Sequence, residues 1–288
     1  MISEEKVIDR IGFIASFQNE LIKAEAKHIR KFNAYFKNEY FKGADEFVAS
    51  RSIGNYPHLF KTSEIEALYV SMYIDIGKRF YKWYEKHFFE FVEKREQDFI
   101  LNEKFSDFAR RVAGDKITLV SGSKKKQLIR VLRGMFENPD LQFMNERELQ
   151  KVLRNKFSAY SKSEAMRLVR TEANTAANYG SIETANTMFG KQGYVKEWLT
   201  SNDERVRSAH ASANGQIVHA DSVFLVMGEK LKFPSDPSAS AGNRINCRCQ
   251  SLCYPAEVQM RNDIDTTSRI PTLITTLPFV LGGEEDEE

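Results

Sequence analysis

The chain has 288 residues, 42% of them hydrophobic and 28% charged, and a formal net charge of +2. That length supports one large or two ordinary hydrophobic cores, and the absence of any run of about 18 apolar residues excludes a membrane-spanning helix. The acidic end "EEDEE" masks a basic remainder, and the three cysteines, an odd number in one seven-residue stretch, argue against a disulfide framework and for a reducing compartment. The start, "MISEEKVIDR", has no basic stretch followed by an apolar one, so no secretory signal is expected.

In chain order, residues 3 to about 42 read as one long helix, with Val7, Ile8, Ile11, Ile14, Leu21 and Ile22 recurring at three- and four-residue steps. Gly43 and "RSIGNYPHLF" are expected to break it. A second helix is expected from Ser63, where "SEIE" offers a capping box with Glu66, to about residue 98. It carries Tyr73, Phe80, Tyr81, Tyr84, Phe88, Phe89 and Phe91 at helical spacing; we read this stripe as helix–helix core rather than a base-stacking platform. Residues 104–170 read as shorter helices, "SKKKQLIRVLRGMFEN" and "NERELQKVLRNKF" among them. The longest, "SKSEAMRLVRTEANTAANYGSIETANTMFG", opens on a second capping box, Ser161 with Glu164, and stops at Gly190.

From Lys191 the texture changes to short β-like runs, "YVKEWL", "QIVHA", "VFLVM", "LKF" and "CQSLCY", separated by turn-rich loops. The fold class is therefore α+β: a long-helix-rich N-terminal region followed by a small C-terminal α+β domain with short antiparallel strands. We divide the chain into a helical arm or hairpin (1–115), a basic helical connecting region (116–190), a compact α+β core (191–256) and a polar connector with the acidic tail (257–288).

Within "RLVRTEANTAANYG" read as a helix, Val169, Ala173, Ala176, Ala177 and Gly180 share one small-residue face. Arg167, Arg170, Thr171, Asn174 and Asn178 form an adjacent polar stripe, which reads as a packed polar seam. Downstream, Asp203 suits the N-cap of a short helix carrying Arg205, Arg207 and His210, with Gly215 at its end and His219 in the extended run after it. If "NCRCQSLCY" is a strand, Cys247, Cys249 and Cys253 share one face, where neighbouring thiols cannot easily close a relaxed disulfide but can take adjacent positions around a metal. Zinc prefers four nitrogen or sulfur ligands, and His210, Cys247 and Cys249 supply three, with His219, Cys253 or Asp203 as the fourth. The competing reading makes the thiols small buried residues and His210 a hydrogen-bonded core imidazole.

Between residues 104 and 170 there are sixteen Lys or Arg against seven Asp or Glu. Lys124, Lys125, Lys126, Arg130 and Arg133 fall within a few helical turns, a spacing that suits sequence-independent phosphate contact, as on double-stranded DNA, as well as an ordinary solvated face.

Taken together, "RTEANTAANYG", "KEWLTSNDERVRSAH", "NGQIV", "FPSDP" and "NRINCRC" resemble the successive blocks of the phage Mu F-like minor head proteins of tailed bacteriophages, over roughly residues 145–255. The pattern falls on Arg170, Thr171, Glu172, Trp198, Asp203, Arg205, Arg207, His210, Gly215, Pro234, Asp236, Pro237, Asn246, Cys247, Arg248 and Cys249. Arg244 stands where an acidic residue is expected, which puts charge pairing in that loop in question. The resemblance implies a minor capsid or head morphogenesis protein, located in the virion, inside the head near the portal, after a stage in the host cytoplasm. Its implied partners are the portal protein, a scaffold or major capsid protein, and double-stranded DNA during packaging or delivery, with no membrane. The alternatives are a metal-dependent nuclease, hydrolase or toxin-like effector, and a plain DNA-binding protein. Against an enzyme, the sequence shows no matched carboxylate pair, phosphate-binding glycine loop or nucleophile elbow.

Overall fold

A computed structural model describes residues 6–7, 10–88, 98–142, 144–191, 193–255 and 274–275. Its long helices are α1 (Arg10–Ser50), α2 (Thr62–Phe88), α3 (Asp98–Phe136) and α5 (Glu146–Phe189), with a short α4 (Pro139–Gln142) between the last two; a two-residue β1 (Lys6–Val7) precedes α1. The α+β part follows: β2 (Tyr194–Leu199), α6 (Ser208–Ala213), β3 (Ile217–His219), β4 (Phe224–Val226), β5 (Glu229–Leu231), α7 (Ala241–Arg244) and β6 (Gln250–Pro255). A final strand, β7 (Ile274–Thr275), pairs antiparallel with β1. The α+β class is present, and four of the five expected strand regions hold strands; the fifth, "LKF", is offset, since β5 covers Glu229–Leu231 and leaves Lys232 and Phe233 outside it.

Several helix boundaries differ from the sequence reading. Helix α1 runs through Gly43 and stops at Arg51, whose φ of 51° places it in the left-handed conformation that ends helices. Gly43 serves packing instead: a Cβ there would lie 2.6 Å from Leu128 Cδ2. Helix α2 begins at Thr62, so Ser63 lies inside its first turn. Helix α5 is one 44-residue element, and Ser161 sits in its middle, bonded to the Ser158 carbonyl at 3.1 Å. The reciprocal cap is at Asn145, whose Oδ1 accepts from Glu148 N (3.0 Å) while Glu148 Oε2 accepts from Asn145 N (3.1 Å). With no proline or glycine between residues 146 and 179, nothing in that stretch interrupts the helix. The stop at Gly190 (φ 73°) is as expected.

The chain forms two compact units: one from residues 1–24, 74–103 and 170–288, the other from 25–73 and 104–169. The second unit is a helical core of aromatic residues. Tyr40 stacks on Phe157 with ring centroids 4.9 Å apart, Phe32 meets Tyr69 edge-on, and Tyr73 packs on Phe108. Lys124 lies in this core, 4% exposed, with Nζ 3.0 Å from Glu164 and 5.1 Å from the Phe36 ring centre. Burial pushes its ammonium below the usual lysine range, opposed by Glu164.

The first unit holds the sheets. Strand β2 lies between β3 and β6, all antiparallel, with Trp198 opposite Ser251 and Lys196 opposite Cys253. A hairpin joins β4 to β5 through Met227 and Gly228, both at positive φ (50° and 78°), the two-residue turn that matches strand twist. On the helical side Phe13, Phe17, Phe80, Trp83 and Tyr84 form a contiguous aromatic cluster. The aromatic stripe of α2 is thus core at Tyr73, Phe80, Tyr81 and Tyr84; the Phe88 side chain, Phe89 and Phe91 lie outside the described residues. The 33 residues after 255 lie outside them too, except for β7.

Candidate metal centre

The polar seam of α5 decides where the cysteines stand. Ala173, Ala176, Ala177 and Gly180 are all fully buried, so the chain packed on them approaches closely. At Gly180 an added Cβ would be 2.7 Å from the Gly77 carbonyl oxygen of α2. Beside these residues, Asn174 and Asn178 donate through Nδ2 to the Cys249 carbonyl at 3.1 and 3.2 Å, and Asn178 Oδ1 accepts from Ser251 N at 2.7 Å. Thr171 Oγ1 accepts from Asn246 N at 3.0 Å, which holds Asn246 at a φ of 54°. Thr175 and Asn174 also bond Ser235, the left-handed residue of the "FPSDP" loop. Arg167 and Arg170 of the expected stripe are exposed, whereas Glu172 is buried and pairs with Arg244 through both carboxylate oxygens at 2.6 Å. The sequence departure at Arg244 is therefore paired.

Cys247 and Cys249 lie before β6, on the bend that Asn246 begins, and Cys253 lies inside the strand. Cys253 faces different neighbours: its backbone N and O both bond the Tyr84 hydroxyl, and burial pushes its thiol up to about 12. Cys247 and Cys249 instead converge on His210, with Sγ to Nδ1 distances of 3.7 and 3.4 Å. All three are 2% exposed, and their ligand atoms lie within 4.8 Å of one another. Trp198 packs edge-on against His210 at 5.6 Å, and Phe224, Val226, Leu231 and Ala213 complete an apolar shell.

Cys247 is pushed well below the usual thiol range, first by its hydrogen bond with Cys249 and then by His210. Cys249 is pushed up by burial and by the neighbouring sulfur. Two buried sulfurs beside an imidazole form a soft donor set that can hold a metal ion.

The remaining expected site residues take supporting roles. His219 is exposed at the end of β3, outside this group. Asp203 does not cap α6, which begins at Ser208 after Arg207; its Oδ1 accepts from Arg205 N at 2.9 Å, and its carboxylate pairs with both terminal nitrogens of Arg248. Arg207 donates to the Ile245 carbonyl. Gly215, at φ 78°, donates to the Trp198 carbonyl at 2.8 Å. Asp236 closes its loop by accepting from Lys232 N, Ser238 N and Ser238 Oγ, and it lies between Ser235 and Pro237 where the loop meets α5. The sequence reading missed Asn243, whose Oδ1 is 3.3 Å from His210 Nε2, and the buried pair of Arg10 with Glu197, two bonds of 2.9 Å. Only the residues' meeting in space marks them.

Of the basic residues, Lys126, Arg130 and Arg133 are exposed at spacings of four and three on α3, one face of the helix. Lys124, buried on Glu164, is not part of that surface, and Lys125 Nζ reaches the Pro57 carbonyl at 3.2 Å.

No helix among the described residues is long and apolar enough to cross a membrane. Comparison with curated proteins and with solved structures gives no match. A family model, phage Mu protein F like protein, matches residues 119–252, a stretch that takes in the α5 seam, His210, Cys247 and Cys249. Over that stretch, a little under half of the chain, the protein is similar to phage Mu F-like proteins.

Proposed function

We propose that the protein is a minor head component of a tailed bacteriophage, acting beside the portal during head assembly and in the packaging or delivery of DNA. The observation that carries this is the family match over 119–252, supported by the work its residues do. Thr171, Glu172, Asn174 and Asn178 of one helix tie down Asn246, Arg244, Ser235 and Ser251 from the loops and strand packed on it. Co-expression with the portal protein of the same phage tests the partner: the chain co-purifies with portal rings, and its absence from them refutes portal association. Truncation at residue 100 is unsuitable, because α1 and α2 contribute to both compact units.

Contact with double-stranded DNA, independent of sequence, falls to Lys126, Arg130 and Arg133. Replacing all three with alanine lowers DNA affinity at low salt and flattens its salt dependence, while Lys124→Ala leaves the salt slope unchanged. Equal slopes for the triple variant and wild type refute this contact.

The metal is zinc, held by three protein donors, His210, Cys247 and Cys249, of the four ligands that zinc prefers. Bonds of about 2.3 Å to sulfur and 2.0–2.1 Å to nitrogen, spread tetrahedrally, put nitrogen and sulfur roughly 3.6 Å apart. The observed 3.4 and 3.7 Å bracket that value. Elemental analysis of the purified chain finds one zinc per molecule, lost in Cys247→Ser; a metal-free wild type with unchanged stability reduces the cysteines to packing residues.

A further inference from the structure

We infer that Asn243 is the positioning residue of the metal centre, fixing His210 to bind through Nδ1. The inference rests on the metal reading above and adds a residue that lies outside the three donors.

Asn243 sits in α7, 2% exposed, between the hairpin and the histidine. Its Nδ2 donates to the Val226 carbonyl at 3.3 Å, and its Oδ1 lies 3.3 Å from His210 Nε2. The carboxamide has a single good orientation: turned over, its oxygen would face the Val226 oxygen. A carboxamide oxygen only accepts, so His210 Nε2 carries the proton and donates. The other ring nitrogen, Nδ1, then presents a lone pair, and it is the one that faces both cysteine sulfurs. Hydrogen-bond bookkeeping thus selects the tautomer that a metal-binding histidine needs, by the partner on its far nitrogen.

Asn243 is itself anchored. Its backbone N donates to the Ser240 carbonyl at 3.1 Å, and Ser240 bonds Glu229 of β5 through N (2.8 Å) and Oγ (2.6 Å). Through Val226 and Glu229 the β4–β5 hairpin therefore sets the angle of the imidazole, which no metal ligand on the hairpin does directly.

The test uses full-length protein, stripped with a chelator and reloaded with zinc. Nitrogen-15 histidine spectra of the loaded wild type, with His210→Gln to assign the ring, show Nε2 protonated and Nδ1 shifted by the metal. Competition against a chromophoric chelator gives an affinity for Asn243→Ala that is 10- to 100-fold weaker. Asn243→Asp, which keeps an acceptor toward Nε2, restores most of it. Ligation through Nε2 in the wild type, or equal affinity in Asn243→Ala, overturns the role of Asn243 while leaving zinc in place. A wild type that takes up no zinc overturns both, and if Asn243→Ala does not fold, the wild-type spectrum still decides.

Discussion

Substituting Gly180 with alanine sets two effects of known size against each other. Gly180 lies inside α5, where alanine is favoured over glycine by about 1 kcal/mol. The new methyl, however, would stand 2.7 Å from the Gly77 carbonyl oxygen, 3.2 Å from Phe80 Cβ and 3.4 Å from Gly77 Cα. The nearest of these is backbone, held in α2, so relief requires the two helices to part. Overpacking of this kind costs about 1–3 kcal/mol. The strain exceeds the propensity gain, and a net destabilisation of about 1–2 kcal/mol is expected. Urea unfolding followed by tryptophan fluorescence reads it, since both tryptophans, Trp83 and Trp198, lie in the same compact unit as Gly180. Gly134→Ala on exposed α3, with nothing within 4 Å of the added methyl, is the matched control and gains about 0.5–1 kcal/mol by circular dichroism. Gly180→Ala as stable as wild type would refute the close-packed seam.

Two further outcomes follow from charge placement. Arg244→Ala strands the buried Glu172 carboxylate and costs about 3 kcal/mol, whereas adding Glu172→Ala to it costs less than the two single losses together; strict additivity in urea denaturation would show that the pair is not coupled. Asp203 is held below the usual carboxylate range, first by its hydrogen bonds from Arg248. Its folded form therefore prefers the charge, so its contribution is present above the unfolded value of about 3.9 and fades as pH falls through the lower folded value. Asp203→Asn accordingly lowers the urea midpoint by a constant amount at neutral pH, a gap that closes in acid; a gap unchanged down to pH 2 would contradict the pairing.

How far the sequence revealed this fold depended on the range of the interaction involved. Period and turn chemistry located the strands, the Gly190 stop and the alanine face, because each is encoded within a few residues. Ser161 with Glu164 has the local form of a cap, but Tyr40 and Lys124 bind Glu164 from distant positions, and Ser161 is buried in mid-helix. Asn145 and Glu148 hold the real cap with an equally plain local pattern. Lys124 looked like its basic neighbours, since nothing adjacent to it names a partner forty residues away. The metal donors were legible by residue type, and His210, Cys247 and Cys249 do meet. Cys253 and His219 do not join them: Cys253 lies inside β6 with its backbone on the Tyr84 hydroxyl, and His219 is exposed at the end of β3, while the left-handed turn at Asn246 that leads into the first two cysteines is bonded by Thr171, seventy-five residues earlier.

Tyr84 and Asn178 also have a consequence for how copies of this chain meet. On the side of β6 away from β2, the backbone groups of Ser251 and Cys253 that another strand would seek are already taken by a phenol and a carboxamide. Side chains from two helices thus act as a dummy strand, so that border of the sheet offers no template for a neighbouring copy to zip onto. Growth by strand addition is left to the short β3 side, where three residues give little purchase. At high concentration this guards the chain against polymerising through its own sheet.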